Sequence, residues 1–342
     1  MQNAKKIAAI VLKLAGVALA VFLLARIMRG IEGDALATLR GSCKPLIALA
    51  VLCYGMVNFI AAWRWKLLLD VQGIQAPLYS IFKLTLIGVF FSQIIPGCVS
   101  GDIMKLAFVM KYSRNQGAEA ALTILVDRYI GLFGLFVVAA LSCLFCLVKC
   151  PGIIEGNKVI LLAFAFVWAA FIGMPLFWFL FLERAFFIKW KPIASILKAL
   201  RGRLPGKVNE LISRVAAAID LYSNENLAVL KVLLMSCMIH TLLALQIYLL
   251  GKAFHERIMN FIEYTVTAQL GNATGIIPVT PGGMGIRDTV SSALLNVFGA
   301  EPVDVLNIIP IANTLTLALW AVVGAFFLLF WKSRSQEAQE NA

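Results

Sequence analysis

The sequence is poor in charged residues. Asp, Glu, Lys and Arg make up 14% of the 342 residues, whereas hydrophobic residues make up 61%. A typical globular chain has about 25% charged residues, and a water-soluble core does not absorb so much apolar surface. The composition therefore excludes an ordinary soluble domain and predicts a membrane protein.

Motifs of soluble enzymes are missing as well. The chain has only two histidines, His240 and His255, and no Ser-His-Asp set can be assembled from them. It has no P-loop and no polar stretch long enough for a separate catalytic domain. We therefore expect no enzymatic activity and no cofactor, and any enzyme of this composition would need its site inside the membrane.

Cysteine is present but does not indicate a disulfide framework. The seven cysteines are an odd number and lie mostly inside hydrophobic runs. Cys143, Cys146 and Cys150 share one helical face, yet no histidine joins them. We expect these residues to pack against apolar neighbours, and we expect no metal site.

Long apolar runs are abundant. An α-helix needs about 20 apolar residues to cross about 30 Å of hydrocarbon. Backbone polar groups in lipid must be satisfied within helices or a closed barrel, and these runs lack the alternation of barrel strands. The predicted fold class is an all-α integral membrane protein that forms a single polytopic domain. Its six predicted transmembrane helices are 7–27, 45–62, 118–148, 159–182, 227–250 and 303–331.

Two further apolar segments are broken by proline and glycine. Each arm is short for a span, and proline and glycine typically end a helix and form a turn. Re-entrant hairpins and kinked spanning pairs both fit this pattern. The arms are 81–95 and 99–110, broken at Pro96 and Gly97, and 261–277 and 286–298, broken at 278–285.

The two broken segments match each other. In each, a proline follows two isoleucines, a glycine lies five residues after the proline, and a basic residue lies nine residues after it. The order of helix, broken pair and helix occurs twice, at 45–148 and 227–331. This predicts an internal repeat, and the alternative is a chance match in an isoleucine-rich chain. The matched residues are Pro96 and Pro278, Gly101 and Gly283, and Lys105 and Arg287.

The excess charge of the chain is positive. There are 30 Lys and Arg residues against 18 Asp and Glu residues. In a membrane protein this balance favours anionic lipid, rather than nucleic acid, as the partner. Residues 183–226 concentrate basic residues interleaved with apolar ones, which predicts a cytoplasmic segment. An amphipathic helix lying on anionic lipid and a solvated loop both fit this segment.

The basic segment sets a predicted topology. Counting spans outward from it places both termini, including the tail 332–342, in the cytoplasm. The first broken segment is then entered from the cytoplasm and the second from the outside, so the two repeats are inverted. Inverted repeats with broken helices in matching positions indicate a transporter-type site near the midplane. The predicted location is a bacterial inner membrane.

The broken helices predict an anion site. A helix that ends inside the membrane exposes free N–H groups and a positive dipole end, and a nearby base completes a site that fits a phosphate. Lys105 and Arg287 are the predicted phosphate-binding residues. Glycine lets the backbone approach a ligand closely, although a tight packing turn is the alternative. The glycines at the breaks are Gly97, Gly101, Gly282, Gly283 and Gly285.

Charged residues also interrupt a long apolar run. Asp127 and Arg128 lie within or at the edge of the span 118–148, where a charge is costly and is a functional candidate. The alternative for them is a structural pair with Lys105 or Asp102. The residues expected to complete the charge network of the site are Asp102, Asp127, Arg128 and Asp288.

Uncharged polar residues complete the set of candidates. Gln269 and Asn272, just before the second break, are expected to line a polar cavity. His240 lies near the middle of its span, where proton relay and hydrogen-bonded packing are both possible roles. The aromatic and basic stretch 63–66 is predicted to be an anchor at the membrane interface, with a role in the site as the alternative.

Four stretches carry a family resemblance. They are 63–66 (WRWK), 96–105 (PGCVSGDIMK), 127–132 (DRYIGL) and 281–288 (PGGMGIRD). Together they resemble the lysylphosphatidylglycerol synthase transmembrane-region family, the flippase-like domain. The resemblance covers nearly the whole chain, and its last stretch is the most specific. Asp127 stands where family members often carry glutamate, which keeps the charge with a shorter reach.

The resemblance implies a role in lipid movement. In that family the membrane domain is associated with moving lipids between leaflets, and longer members add a cytoplasmic aminoacyl-transfer domain. Because this sequence ends soon after Trp331, the resemblance does not imply a synthase. We expect a translocator that binds an anionic phospholipid or a lipid-linked intermediate between the repeats. The alternatives are a non-transporting accessory that presents lipid to a separate transferase and, third, an intramembrane transferase.

Overall fold

The computed structural model describes residues 40–95, 100–110, 116–149, 158–182, 221–222, 225–275 and 285–329, together with Thr38 and Gly283. All regular secondary structure in these residues is helical, which confirms the all-α fold class. The main helices are α1 (Lys44–Val71), α2 (Leu78–Ile94), α3 (Ser100–Val109), α4 (Gly117–Lys149), α5 (Lys158–Leu182), α6 (Asn226–Ala253), α7 (Phe261–Thr274), α8 (Ile286–Val297) and α9 (Val305–Leu329).

Five helices in the described part of the chain are long and apolar enough to cross a membrane. They are α1, α4, α5, α6 and α9, and they coincide with five of the six predicted transmembrane helices. The sixth, 7–27, lies outside the described residues, as do the tail 332–342 and nearly all of the basic segment 183–226.

The outer surface of these long helices is apolar. Leu52 of α1 and Leu162 of α5 are 65% and 69% exposed, and Val148 of α4 is 70% exposed. A soluble protein rarely leaves so much contiguous apolar surface in water, whereas lipid solvates it without cost. The main apolar core lies between α4, α6, α7, α8 and α9. Its buried members include Phe136, Leu250, Tyr264, Leu295 and Ile308.

The two broken segments each form a pair of short helices. Helix α2 packs against α3, and α7 packs against α8. Helix α3 has 10 residues and α8 has 12, so each is about 15–18 Å long at about 1.5 Å per residue and does not cross the hydrocarbon alone. The predicted break residues Pro96, Gly97, Pro278 and Gly282 lie outside the described residues, and re-entry of the pairs stays a prediction.

The long helices that open the two halves have the same length and a constant numbering offset. Helix α1 runs from Lys44 to Val71 and α6 from Asn226 to Ala253, so both have 28 residues and every residue is offset by 182. The offset also holds at their carboxyl ends. Gly73 and His255 both have positive φ, at 70° and 62°.

The hydrogen bonds at these two helix ends are also equivalent. The N–H of Ile74 donates to Leu69 O, and the N–H of Glu256 donates to Gly251 O at the same offset. This six-to-one bond after a residue of positive φ is the Schellman arrangement that ends helices. Two stretches of different sequence thus form the same local structure.

The packing of the halves follows the same correspondence. The N–H of Cys43, before α1, donates to Ala253 O at the end of α6 over 2.9 Å, so α1 and α6 run antiparallel. Helix α2 packs against α9, and its counterpart α7 packs against α4, the counterpart of α9. These relations are what inverted repeats require. The inversion relative to the membrane stays a prediction because it depends on which side each span faces.

Candidate functional site

A buried ion pair joins α1 to α4. The Nε and Nη2 atoms of Arg64 donate to the two carboxylate oxygens of Asp127 over 2.8 Å and 3.0 Å. The Nη1 atom of Arg64 donates to the hydroxyl of Ser236 on α6 over 2.7 Å. Arg64 is 8% exposed and Asp127 is 9% exposed. The two buried charges compensate each other, because Arg64 donates to both carboxylate oxygens of Asp127. The further hydrogen bond to Ser236 also stabilises the buried guanidinium.

A second carboxylate lies beside this pair and contacts two bases. Asp102, in the first turn of α3, accepts from Arg128 Nε and lies 3.7 Å from Lys105 Nζ. The Lys105 ammonium also lies 5.4 Å from the centroid of the Trp65 ring. The Lys105 side chain is 17% exposed, whereas that of Arg128 is 53% exposed. The group therefore extends from the interior towards the surface.

These five residues form what we call the Arg64 cluster, in which bases outnumber acids. Three are basic and two are acidic, and Lys105 and Arg128 share the carboxylate of Asp102. Charges among apolar helices are costly unless water or a counter-ion reaches them. The arrangement is therefore suited to receiving an anion. Its members are Arg64, Asp102, Lys105, Asp127 and Arg128.

The Arg287 group is a second, balanced set of charges, formed by Arg287, Asp288 and Thr314. Arg287 donates to Asp288 Oδ1 from Nη2 over 3.2 Å and from Nε over 3.3 Å, and its Nη2 also donates to the hydroxyl of Thr314 on α9. The Thr314 hydroxyl lies 3.0 Å from both oxygens of Asp288. Arg287 is 5% exposed, so its guanidinium is buried within the protein.

The turn before α8 positions Asp288. Gly285 has φ of 88° and Gly283 has φ of 72°, a conformation that side-chain-bearing residues rarely adopt. The N–H of Gly285 donates to Asp288 Oδ2 over 3.1 Å, so the carboxylate caps the first turn of its own helix. Gly101 is different, because it lies inside α3, where its backbone touches α2 at Gly88.

An uncharged polar group lies between α4, α6 and α7. The Nε2 atom of His240 is 3.1 Å from Gly131 O, and Gln269 Nε2 donates to His240 O over 2.9 Å. Nearby on α6, Gln246 Nε2 donates to Asn313 Oδ1 of α9 over 2.8 Å. Gln246 and Gln269 are fully buried, and the predicted cavity residue Asn272 is half-buried.

One pairing that the sequence left open is present in this geometry, since Arg128 pairs with Asp102. Lys105 also lies beside Asp102, a contact that was not predicted. Asp127 does not pair with Lys105 or Asp102 in the described contacts, because its partner is Arg64. Across the described residues, no group of three or more His, Cys, Asp or Glu side chains is placed to hold a metal ion.

Arg64 is the residue that the sequence reading missed. The stretch 63–66 was interpreted as an interface anchor, but only its outer members fit that role, since Trp63 is 46% exposed and Trp65 is 1% exposed. Hydropathy does not distinguish the faces of α1, because apolar residues lie on both of them. In the structure, the buried positions Val57, Ile60, Arg64 and Leu68 recur at three- and four-residue spacing, which places Arg64 on the inward face.

Comparisons with known proteins agree with the membrane fold. The family model for the lysylphosphatidylglycerol synthase TM region matches residues 10–334. A UPF0104 membrane protein of Pyrococcus horikoshii is 24% identical over 320 residues, which cover 88% of this chain and 91% of that protein. With five apolar helices of spanning length, the chain is a multi-pass membrane protein. It belongs to the lysylphosphatidylglycerol synthase TM region family.

Proposed function

We propose that this protein binds anionic membrane lipids and moves them between the two leaflets, without covalent chemistry on the lipid. The observation that carries this proposal is the Arg64 cluster, in which three bases share two carboxylates among helices long enough to span the bilayer. A lipid phosphate is the anion that a membrane supplies in quantity. Its entry would form charge-assisted hydrogen bonds with these bases.

The exposure of the cluster members supports a path for the headgroup. Arg128 has a half-exposed side chain and Lys105 a mostly buried one, and both contact Asp102. A phosphate that first contacts Arg128 needs to advance only a short way to reach Lys105. Asp102 holds both bases in place and keeps the site from binding an anion too tightly to release it.

The balanced Arg287 group supports a second binding position in the other half. There, a phosphate would have to compete with Asp288 for the Arg287 guanidinium. We propose that lipid passes between the two charged groups within a bacterial-type inner membrane, with both chain termini in the cytoplasm.

Transfer between leaflets can be measured in liposomes. The protein is reconstituted in vesicles that carry phosphatidylglycerol or phosphatidylcholine labelled on an acyl chain, and a membrane-impermeant quencher reports the outer-leaflet pool. We expect the protein to equilibrate labelled phosphatidylglycerol faster than labelled phosphatidylcholine. Folded protein that equilibrates neither lipid would contradict the proposal, and binding without transfer would support the accessory role instead.

Two matched variants test the site itself. Lys105→Met removes the buried ammonium and keeps the length of the side chain, and we expect transfer to fall about tenfold, which corresponds to about 1.4 kcal/mol. Lys83→Met is the control, because Lys83 is a base of α2 that lies 4.0 Å from the Tyr79 ring and outside the Arg64 cluster. Equal transfer by both variants would exclude Lys105 from the site.

A further inference from the structure

Both ring nitrogens of His240 lie near hydrogen-bond acceptors. Its Nε2 atom is 3.1 Å from the carbonyl oxygen of Gly131, which only accepts hydrogen bonds. The Nε2 atom therefore carries a hydrogen. In a neutral ring the remaining Nδ1 atom is then an acceptor, and it is buried with no hydrogen-bond partner among the described residues.

The side chain next to this ring presents a second unmatched acceptor. The Gln269 carboxamide lies beside the His240 imidazole, and its amide nitrogen already donates to His240 O over 2.9 Å. Its oxygen Oε1 is buried and, within the described part of the chain, also has no donor. Two buried acceptors that both lack a donor destabilise the folded state.

One added proton would remove both deficits. A hydrogen on Nδ1 makes this atom a second donor. It can donate to Gln269 Oε1 while Nε2 keeps its hydrogen bond to Gly131 O. We propose that His240 is a proton-binding site between the two halves, with Gly131 and Gln269 as the acceptors of the imidazolium. The proton comes from water and no bond between heavy atoms changes.

The charged groups around His240 determine when the proton binds. From α1, the Arg64 guanidinium opposes a second positive charge, since it bonds Ser236 one turn before His240 and lies beside Gly131. From α4, Asp127 favours the proton, although Arg64 occupies its carboxylate. The charged residue of α7 is Glu263 in its first turn, and α9 has no charged residue between Val305 and Leu329.

These charges couple proton binding at His240 to anion binding at the Arg64 cluster. If the Arg64 cluster receives a lipid phosphate, the added negative charge lowers the repulsion felt by an imidazolium at His240. Because coupling between two binding sites is reciprocal, a proton on His240 would then also favour phosphate binding. This step rests on the proposed function, whereas the proton site itself does not.

The proton site can be observed directly because the chain has only two histidines. We would label the histidine nitrogens with 15N and record spectra in phosphatidylcholine nanodiscs between about pH 3 and pH 9, a range that extends well below an ordinary histidine. Exposed His255 gives an internal reference, and His255→Gln leaves a single ring for assignment. We expect His240 to change from one protonated nitrogen to two within this range. A single neutral form throughout would overturn the proposal.

A pair of glutamine variants tests the geometry. In Gln269→Met the proton on Nδ1 loses its acceptor, so we expect the titration of His240 to move down by about one pH unit. Gln246→Met is the matched control, since Gln246 is equally buried but hydrogen-bonds Asn313. An equal effect of both variants, or of neither, would show that Gln269 is not the proton's acceptor.

The coupling has its own test. Replacing part of the phosphatidylcholine by phosphatidylglycerol should move the titration of His240 upward by about one unit, and Lys105→Met should remove most of that shift. The same titration in both lipids would overturn the coupling and leave the proton site intact. The liposome assay is independent, because failure of lipid transfer there would not change the nitrogen spectra.

Discussion

The two halves of the predicted repeat carry different side chains on helices related by one numbering offset. At the constant offset of 182, Gln246 of α6 corresponds to Arg64 of α1, and Asn313 of α9 corresponds to Gly131 of α4. The Arg64 guanidinium lies 3.2 Å from the position that a Cβ of Gly131 would take, and Gln246 hydrogen-bonds Asn313 over 2.8 Å. The equivalent helix contact is therefore ionic in the first half and neutral in the second.

This difference indicates what each contact contributes. A hydrogen bond between neutral side chains in membrane helices contributes about 0.6–1.7 kcal/mol and needs no counter-charge. The buried Arg64 guanidinium needs Asp127, and the surrounding Arg64 cluster holds three bases and two carboxylates. Stability alone would be served by the amide pair in both halves. We infer that the charges of the first half are kept for binding an anion.

The largest expected effect comes from breaking the ionic contact. Asp127→Ala leaves the buried Arg64 guanidinium without its carboxylate, which we expect to cost about 3–5 kcal/mol of unfolding free energy. In the other half, Asn313→Ala removes the neutral partner of Gln246 and should cost about 1 kcal/mol. Unfolding in detergent, followed by circular dichroism, measures both.

A double variant sharpens the same comparison. Arg64→Gln with Asp127→Asn gives the first half a neutral contact like that of the second, so most of the loss in Asp127→Ala should disappear. Anion binding should still be lost, because the double variant removes charged members of the Arg64 cluster. If the double variant is as unstable as Asp127→Ala, the ionic contact does more for the fold than the neutral one.

The next effect concerns how closely the short helices approach. A Cβ on Gly101 of α3 would lie 2.3 Å from the carbonyl oxygen of Gly88, so Gly101→Ala should force two backbones apart and cost about 1–3 kcal/mol. In the second half, a Cβ on Gly271 would meet the hydroxyl of Ser291 at 2.7 Å, and a hydroxyl can rotate. We therefore expect Gly271→Ala to cost less.

Thermal unfolding in detergent ranks these glycine variants. Gly173→Ala in α5 is the control, since nothing lies within 4 Å of a Cβ there. If Gly101→Ala unfolds at the same temperature as Gly173→Ala, the α2–α3 pair is looser than its contact distance indicates.

The balanced charges of the second half give a smaller effect, on binding. If Arg287 contacts a lipid phosphate, Arg287→Ala should weaken phosphatidylglycerol binding more than tenfold per folded molecule, or by about 1.4 kcal/mol. Arg287→Lys should recover only part, because an ammonium lacks the planar fork of donors. Arg257→Ala, at an exposed loop position, is the control. Unchanged affinity would restrict the phosphate site to Lys105 and Arg128.

Much of the fold can be predicted from hydropathy and from the positions of proline and glycine. The predicted arms 261–277 and 286–298 differ little from α7 (Phe261–Thr274) and α8 (Ile286–Val297), because proline and glycine end helices locally. The pairing of Asp102 with Lys105 is also local, since three residues separate them on one helix face.

The long-range ion pairs could not be predicted from hydropathy. Hydropathy places a helix in the membrane but does not say which neighbour its inner face meets, so Asp127 had several possible partners and Arg64 was not among them. The repeat contained the missing information. Aligning the halves at one offset over their whole length pairs Arg64 with the buried Gln246, which marks Arg64 as an inward-facing residue.

The smallest expected effect lies in the loops that follow the two matched helices. The offset of 182 relates Ile74, which is apolar and 2% exposed, to Glu256, which is also 2% exposed. Burial by itself would raise the pKa of the Glu256 carboxyl, but donors from Met259, Lys252 and Ile258 outweigh it and lower the pKa.

A lowered pKa in the folded state gives the sign of the pH effect. The stabilisation from Glu256 is complete above the carboxyl's unfolded pKa of about 4.3, and it is lost as the pH falls through the lower folded value. Glu256→Gln should therefore be less stable than the parent at neutral pH, and this difference should shrink on acidification from about pH 5 to pH 3. Thermal unfolding across that range measures it, with exposed Glu301→Gln as the control. A difference that stays constant with pH would mean that the loop is held, like its counterpart at Ile74, by packing alone.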